Sequence, residues 1–288
     1  MEELAPRLRL VVLSDTDPVA QGIAGLWGTL PATGEHVDGA AVRRLGRHQL
    51  VVRRPVPHIH DERLDRALPT SVLEQQPTLV FPSVHRSESG QRCLTVHPLG
   101  NPGGSVELGG RARTLVPTDP RGMSALLREL DAGATALGVP ATYEATHHGP
   151  ELKVPAFFAE VAVLGDEAPT PAEASVLAEA IRSFREDASD RVALAVGGGH
   201  YAPRFGDLAR SRAWAFGHIL SRHALEDLTP GTARDALQAT PGATGILFAR
   251  AQDRTHPAFA GLAPALREND APRRRGQATS TSLPTSDT

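Results

Sequence analysis

Short apolar runs separated by amphipathic stretches set the rhythm of this chain. Leu8–Leu13 has the composition of a buried opening strand. Runs at Gln49–Arg53, Thr78–Ser83, Arg92–Val96, Ala141–Ala145, Val192–Val196, Ala213–Phe216 and Gly245–Ala249 also read as strands. Between several of them the apolar spacing lengthens to a helical period. One helix is predicted after Asp15 or Asp17, either of which can cap it, with Pro18 at its first position. Others are predicted from Asp119 to Gly138, after Thr170 with Pro171 in the first turn, and over Thr229–Thr240. Strands alternating with helices predict a three-layer α/β/α domain, assigned to residues 1–267. The segment 55–118 departs from that rhythm. It is rich in Pro and Gly, carries a helical pattern only at 61–75, and is predicted to be a partly β excursion. No internal repeat is visible. The tail 268–288 has one Leu and otherwise lacks apolar residues, which predicts disorder.

Composition narrows the class only a little. The 288 residues are 40% hydrophobic, enough for a substantial core. The formal charge of −3 neither requires nor excludes RNA binding, because a local basic patch can serve one RNA end. Cys93 is the only cysteine, so an intrachain disulfide and a thiolate zinc cluster are both excluded. It falls in an apolar run and reads as packed. The charge and the low thiol count fit a reducing cytoplasm. The opening "MEELAPRLRLVVLSD" has neither the apolar length of a membrane span nor the form of a signal peptide. No obligate protein partner is evident.

The histidines carry the candidate chemistry. There are twelve, and several follow strand-like runs: His85, His97, the pair His147–His148, His200 and His218. Strand ends are where α/β folds place their sites, in the crevice at the carboxyl edge of the sheet. His147 and His148 can share a site only if their strand has ended, and Gly149-Pro150 supplies a break. The pair is then a metal ligand or acid/base imidazole with a supporting partner. The plainer alternative is one ring in the core and one in solvent. Gly197-Gly198-Gly199 permits close backbone approach to a ligand, and Arg204 can meet a phosphate or carboxylate in two-pronged fashion. The alternative there is a tight structural turn. Glu144 and Glu160 can orient an imidazole or accept a proton from water. No GxGxxG, P-loop or GxSxG motif is present. The run Arg273–Arg275 reads as a solvated tail.

Together these motifs resemble the archaeal and plant type of D-aminoacyl-tRNA deacylase. The likeness rests on "THHGP" at Thr146–Pro150, "FFAE" at Phe157–Glu160, "GGGHYAPRF" at Gly197–Phe205 and "WAFGHI" at Trp214–Ile219. "SVHRS" at Ser83–Ser87 and "LTVHPLGN" at Leu94–Asn101 support it. Val161-Ala162-Val163 and Glu151 depart from the family pattern. The resemblance implies a mixed central sheet similar to that of nucleoside phosphorylases and peptidyl-tRNA hydrolases. It implies hydrolysis of the ester between a D-amino acid and the tRNA 3′ end, a form of translation quality control, with zinc as cofactor. On that reading the metal ligands come from His85, His97, His147, His148 and His200, and catalysis from His147, His148, Glu144 and His200. Substrate contacts come from Gly197, Gly198, Gly199, Tyr201, Arg204, Thr146, Glu160 and His218. The rivals are a phosphorylase, a peptidyl-tRNA hydrolase, and a tRNA-end-binding protein without turnover.

Overall fold

The computed structural model describes residues 7–87, 91–106 and 108–274. In chain order the first half holds β1 (Arg9–Ser14), α1 (Pro18–Trp27), β2 (Ala32–Val37), β3 (Ala40–Gly46), β4 (Gln49–Arg54), α2 (Thr70–Leu73), β5 (Thr78–Ser87), β6 (Cys93–Pro98), β7 (Gly100–Asn101), β8 (Thr114–Leu115) and α3 (Pro120–Leu137). The second half holds β9 (Ala141–Tyr143), β10 (Ala156–Leu164), α4 (Pro171–Ser183), β11 (Arg191–Val196), α5 (Pro203–Ser211), β12 (Trp214–Leu220), α6 (Arg222–Leu225), α7 (Pro230–Gln238), β13 (Ala243–Phe248) and β14 (Ala265–Leu266). Among the described residues no helix is long and apolar enough to cross a membrane.

The predicted helices form where their punctuation lies. Asp119 accepts the Gly122 amide at the start of α3, and Gly138 ends it at φ +70. Thr170 and Glu173 form a reciprocal capping box on α4. Eight strands make a mixed sheet in the order β2-β3-β4-β1-β5-β10-β6-β9. Strands β4, β1, β5 and β10 run parallel, whereas β6 is antiparallel to β10 and β9 follows β6. A parallel four-stranded sheet, β12-β11-β13-β14, adjoins the β9 edge. There the Ala145 amide donates to His200 O and the Thr146 amide to Ile219 O, each at 2.8 Å.

The layers follow from where apolar side chains are buried. Met123, Leu126 and Leu130 of α3 and Leu177 and Ile181 of α4 pack on Val11, Val80, Val96 and Phe157 of the large sheet. Trp214 and Phe216 of the small sheet share that core. The opposite face of the large sheet carries Leu10, Leu79, Phe81 and Phe158, covered by Leu64, Leu68 and Val72 from short helical turns. The outer face of the small sheet packs Leu194 and Ile246 against Ala233 and Ala236 of α7. This is the expected three-layer α/β/α arrangement with a mixed sheet. Full burial of each large aliphatic side chain contributes roughly 1.5–3 kcal/mol.

Several elements escaped the sequence pattern. Strand β10 is buried on both faces, so its apolar run has no alternation to reveal it. The β2–β3 hairpin, α5, α6 and β14 also escaped it. Within 55–118, β5 and β6 lie deep in the sheet, and the small β7–β8 ribbon is the part that leaves it. Residues 268–274, expected to lie in a disordered tail, pack against the fold. Trp214 Nε1–H donates to Glu268 O at 3.0 Å, and Ala271 is fully buried. Arg274, expected in a solvated run, is ion-paired with Asp187 and Asp190. A buried Ala271, the Trp214 hydrogen bond and the Arg274 ion pairs together anchor residues 268–274, and Arg275 with the rest of the tail lies outside the described residues.

Asp17 ties two of these elements together. One carboxylate oxygen accepts the Val19 and Ala20 amides, and the other accepts Ser83 Oγ at 2.8 Å and the Val84 amide at 2.9 Å. Asp17→Ala is expected to lower stability by about 2–3 kcal/mol, from a lost cap and lost charge-assisted bonds. Urea denaturation checks this, and an unchanged midpoint would contradict it.

Candidate active site

The centre of the site is a sheet position. Glu160 of β10 stands level with Ser83 of β5 on one side and Thr95 of β6 on the other. His85 lies two residues beyond Ser83, and His97 two beyond Thr95, so alternation puts all of them on one face. That face is the one without long helices. Because β5 and β6 run in opposite directions, His85 and His97 approach Glu160 from opposite ends. His85 Nδ1 lies 3.7 Å and His97 Nε2 3.2 Å from Glu160 Oε2. The expected crevice at a common carboxyl edge is therefore corrected. The histidines meet over the body of the sheet, because β6 reverses. Below them Phe158 stacks on His97 with ring centres 5.1 Å apart and planes 6° apart.

The second half of the cluster arrives from the seam between the sheets. Glu144 follows β9, is fully buried, and lies 3.1 Å from His200 Nε2, 3.5 Å from His147 Nε2 and 4.0 Å from His85 Nδ1. His147 bridges the rings: its centre is 4.1 Å from His97, 4.4 Å from His148 and 4.8 Å from His200. His148 has left the strand, at φ +44, and both rings of the pair face the same cluster. Tyr201 flanks it, its ring 5.2 Å from His200.

Backbone carbonyls set the tautomers. Nδ1–H of His147 donates to Ala145 O at 2.8 Å, that of His148 to Gly149 O at 2.7 Å, and that of His97 to Pro98 O at 3.2 Å. This leaves Nε2 of His147 and His148 as lone pairs, whereas Nε2 of His97 faces the Glu160 carboxylate. Burial lowers the affinity of His147 for protons, and His97 and His148 lower it further. Burial, with His97 adding to it, pushes His148 down to about 4. Burial alone would raise Glu144 and Glu160. The histidines outweigh it and hold both below the ordinary carboxylate range, His200 foremost at Glu144 and His97 at Glu160. Burial works against a charge on His97, but Glu160 outweighs it and raises that ring.

These groups fit a metal ion. Both Glu144 oxygens, Glu160 Oε2, and Nε2 of His97 and His147 are buried and hydrogen-bonded to no described residue. Buried polar atoms are rarely left so. Three overlapping sets, His85–Glu144–His147–His200, His97–His147–His148 and His97–Glu144–Glu160, each hold their ligand atoms within 4.8 Å of one another. Imidazole and carboxylate donors suit zinc.

The family model for D-aminoacyl-tRNA deacylase matches residues 73–259. This chain belongs to the D-aminoacyl-tRNA deacylase family. The deacylase of Thermoplasma acidophilum is 36% identical over 173 residues, 60% of this chain and 67% of that one. The deacylase of Methanosphaerula palustris is 36% identical over 216 residues, 74% of this chain and 47% of that one. A crystal structure titled as a conserved protein of unknown function, AF0625, superposes with a TM-score of 0.76 at 23% identity. It covers 93% of this chain and 97% of its own, a likeness of fold.

Not every expected residue of this deacylase-family chain reaches the cluster. Arg204 is half-exposed and pairs with Glu268 at 3.7 Å, because helix α5 directs it toward the C-terminal segment. The amide of Gly197 is already donated to Leu220 O at 2.8 Å. An added Cβ there would meet the Asp253 carboxylate at 2.8 Å, so this glycine serves a packed turn into His200 rather than a phosphate cradle. Gly198, at φ +87, continues that turn, and Gly199 leads directly into His200. Strand β12 runs past His218, which is consequently inside the fold and fully buried. Its Nε2–H donates to Val116 O at 3.0 Å, and its Nδ1 accepts from Thr146 Oγ1 at 3.1 Å. Thr146 Oγ1 in turn accepts the Ile219 amide at 3.0 Å. His218 and Thr146 thus latch the His pair's segment to the small sheet. The aromatic floor at Phe158 was the missed element; its sequence signal was its place two residues before Glu160.

Burial pushes His218 down to about 3. Its folded value lies below its unfolded value of 6.5, so the unfolded chain gains a proton there first. Stability is therefore expected to fall as pH drops from 6.5 toward 3, with no further loss from this group below that. In chelator, the urea midpoint of His218→Gln should vary less between pH 6.5 and 4 than that of the wild type. Parallel pH profiles would contradict it.

Proposed function

We propose that this chain hydrolyses the ester joining a D-amino acid to the 3′ end of tRNA, with zinc bound at the histidine–carboxylate cluster. One observation carries the reading: buried imidazole Nε2 atoms and unsatisfied carboxylate oxygens lie together in overlapping sets within 4.8 Å in a chain of this family. An aminoacyl ester is already activated, so the site needs a placed water, a proton acceptor and a counter-charge for the developing oxyanion. His147, with His97 and His148 or with His85, Glu144 and His200, would hold the ion. Bound zinc supplies a water of lowered pKa.

The chain's own groups do the rest. Glu160 fixes the His97 ring, and Phe158 sets its plane. Glu144 is ionised and wholly enclosed, which makes it a strong electrostatic partner and a weak base. His200, whose side chain is 43% exposed, is the member of the pair with Glu144 that reaches solvent. An L side chain would be excluded sterically where the D form presents only hydrogen. The setting for such a substrate is the cytoplasm.

A time course with D-tyrosyl- and L-tyrosyl-tRNA checks the reading. The D ester should be cleaved, the L ester spared, and chelator should abolish turnover until zinc is restored. Glu144→Gln should lose at least about 100-fold in kcat, because a charge inside the cluster is removed. Cleavage indifferent to chelator would remove the metal, and tRNA binding without turnover would favour an end-binding protein.

A further inference from the structure

The turn that carries His148 is held by a side chain outside the cluster. Glu62 is exposed and follows a short helical turn. One of its oxygens accepts the Gly110 amide at 2.6 Å, and the other accepts the Glu151 amide at 2.7 Å. Both distances are at the short end for amide-to-carboxylate bonds, the stronger class of protein hydrogen bond. Three residues on, Asp65 accepts the Lys153 amide at 2.9 Å. Alternate amides of the segment leaving the His pair are therefore bound by two carboxylates of one short stretch, 62–65.

Both Glu62 bonds act on Gly149. Gly110 presses against Gly149, and a Cβ on Gly149 would overlap the Gly109–Gly110 backbone. Leu108 O, in the same loop, accepts the Gly149 amide at 3.1 Å. The Glu151 amide lies just beyond the Gly149–Pro150 bond. Glu62 thus ties the segment leaving Gly149 to the 109–110 loop packed against it, and Gly149 O is the acceptor that fixes Nδ1–H of His148. Gly100 supplies the remaining tie, donating its amide to His148 O at 2.7 Å.

We propose that Glu62 is a positioning residue for the active site. By clamping the 108–110 loop to the 149–151 segment it orients the His148 ring. It lies outside residues 73–259, the span matched by the family model. The proposal rests on the reading that the cluster binds zinc and hydrolyses the ester, and its test separates the two.

Glu62→Ala and Glu62→Gln are compared with the wild type for zinc affinity, for kcat and KM on D-tyrosyl-tRNA, and for amide hydrogen exchange. Each is measured well below the melting temperature. Glu62→Ala should lose about 10- to 100-fold in zinc affinity, as expected for a partner behind the ligands. Its kcat should fall by a similar factor with KM within threefold, and exchange should quicken at 110 and 147–151 but not in β10. Glu62→Gln keeps one acceptor oxygen and should recover part of each loss. The role of Glu62 is overturned if Glu62→Ala keeps zinc affinity and kcat within twofold of the wild type. It is equally overturned if exchange at 147–151 is unchanged. A wild-type chain that takes up no zinc would overturn the reading of the cluster instead, and the exchange data would still decide the clamp.

Discussion

A carboxylate cannot sit inside a protein without something to balance it, and this fold encloses two in the same place. Glu144 is fully buried and Glu160 nearly so. Taking an isolated carboxylate out of water costs far more than a typical domain's stability, so an ionised one demands positive charge or a ligated ion. The chain meets that demand with imidazoles rather than with Arg or Lys. Among the described residues, buried arginines are engaged elsewhere, such as Arg9 with Glu186, Arg54 with Asp61, and Arg128 and Arg274 with Asp190. The five histidines around the two carboxylates have their protons directed outward to carbonyls or are packed against one another. The arrangement is electrostatically incomplete in a way that favours a small cation. Much of the surrounding structure, from the reversed β6 to the latch of Thr146 on His218, brings these few groups within range.

Much of the fold was legible because its helices are strongly punctuated. Asp17, Asp119 and Thr170 cap the helices that the spacing predicts, and Gly138 ends one of them. What stayed hidden was hidden for physical reasons. A strand buried on both faces, such as β10, has no polar side to give it away. The direction of β6 depends on pairing with β10, which lies some sixty residues ahead in the chain. A reversal of that kind leaves no local trace.

The site was legible in its membership and less so in its layout. His85, His97, His147, His148, His200, Glu144 and Glu160 were all singled out, and the structure brings them together. The sharp backbone punctuation at Gly149-Pro150 marked where the pair leaves its strand. Arg204 and His218 were drawn in by their place beside the motifs. Proximity in sequence said nothing about which way a helix or a continuing strand would aim them. Glu62 gave no signal, because an exposed acidic residue in a polar loop looks like any other.

The carbonyls that fix the Nδ1 protons of His97, His147 and His148 lie one or two positions away in the chain. No distant part of the chain has to move for a ring to offer its lone pair. The cost in rotational freedom is met once, during folding, and capturing an ion need not order the rings a second time. For the proposed zinc site such preorganisation favours tight binding, with selectivity governed by its shape more than by induced closure.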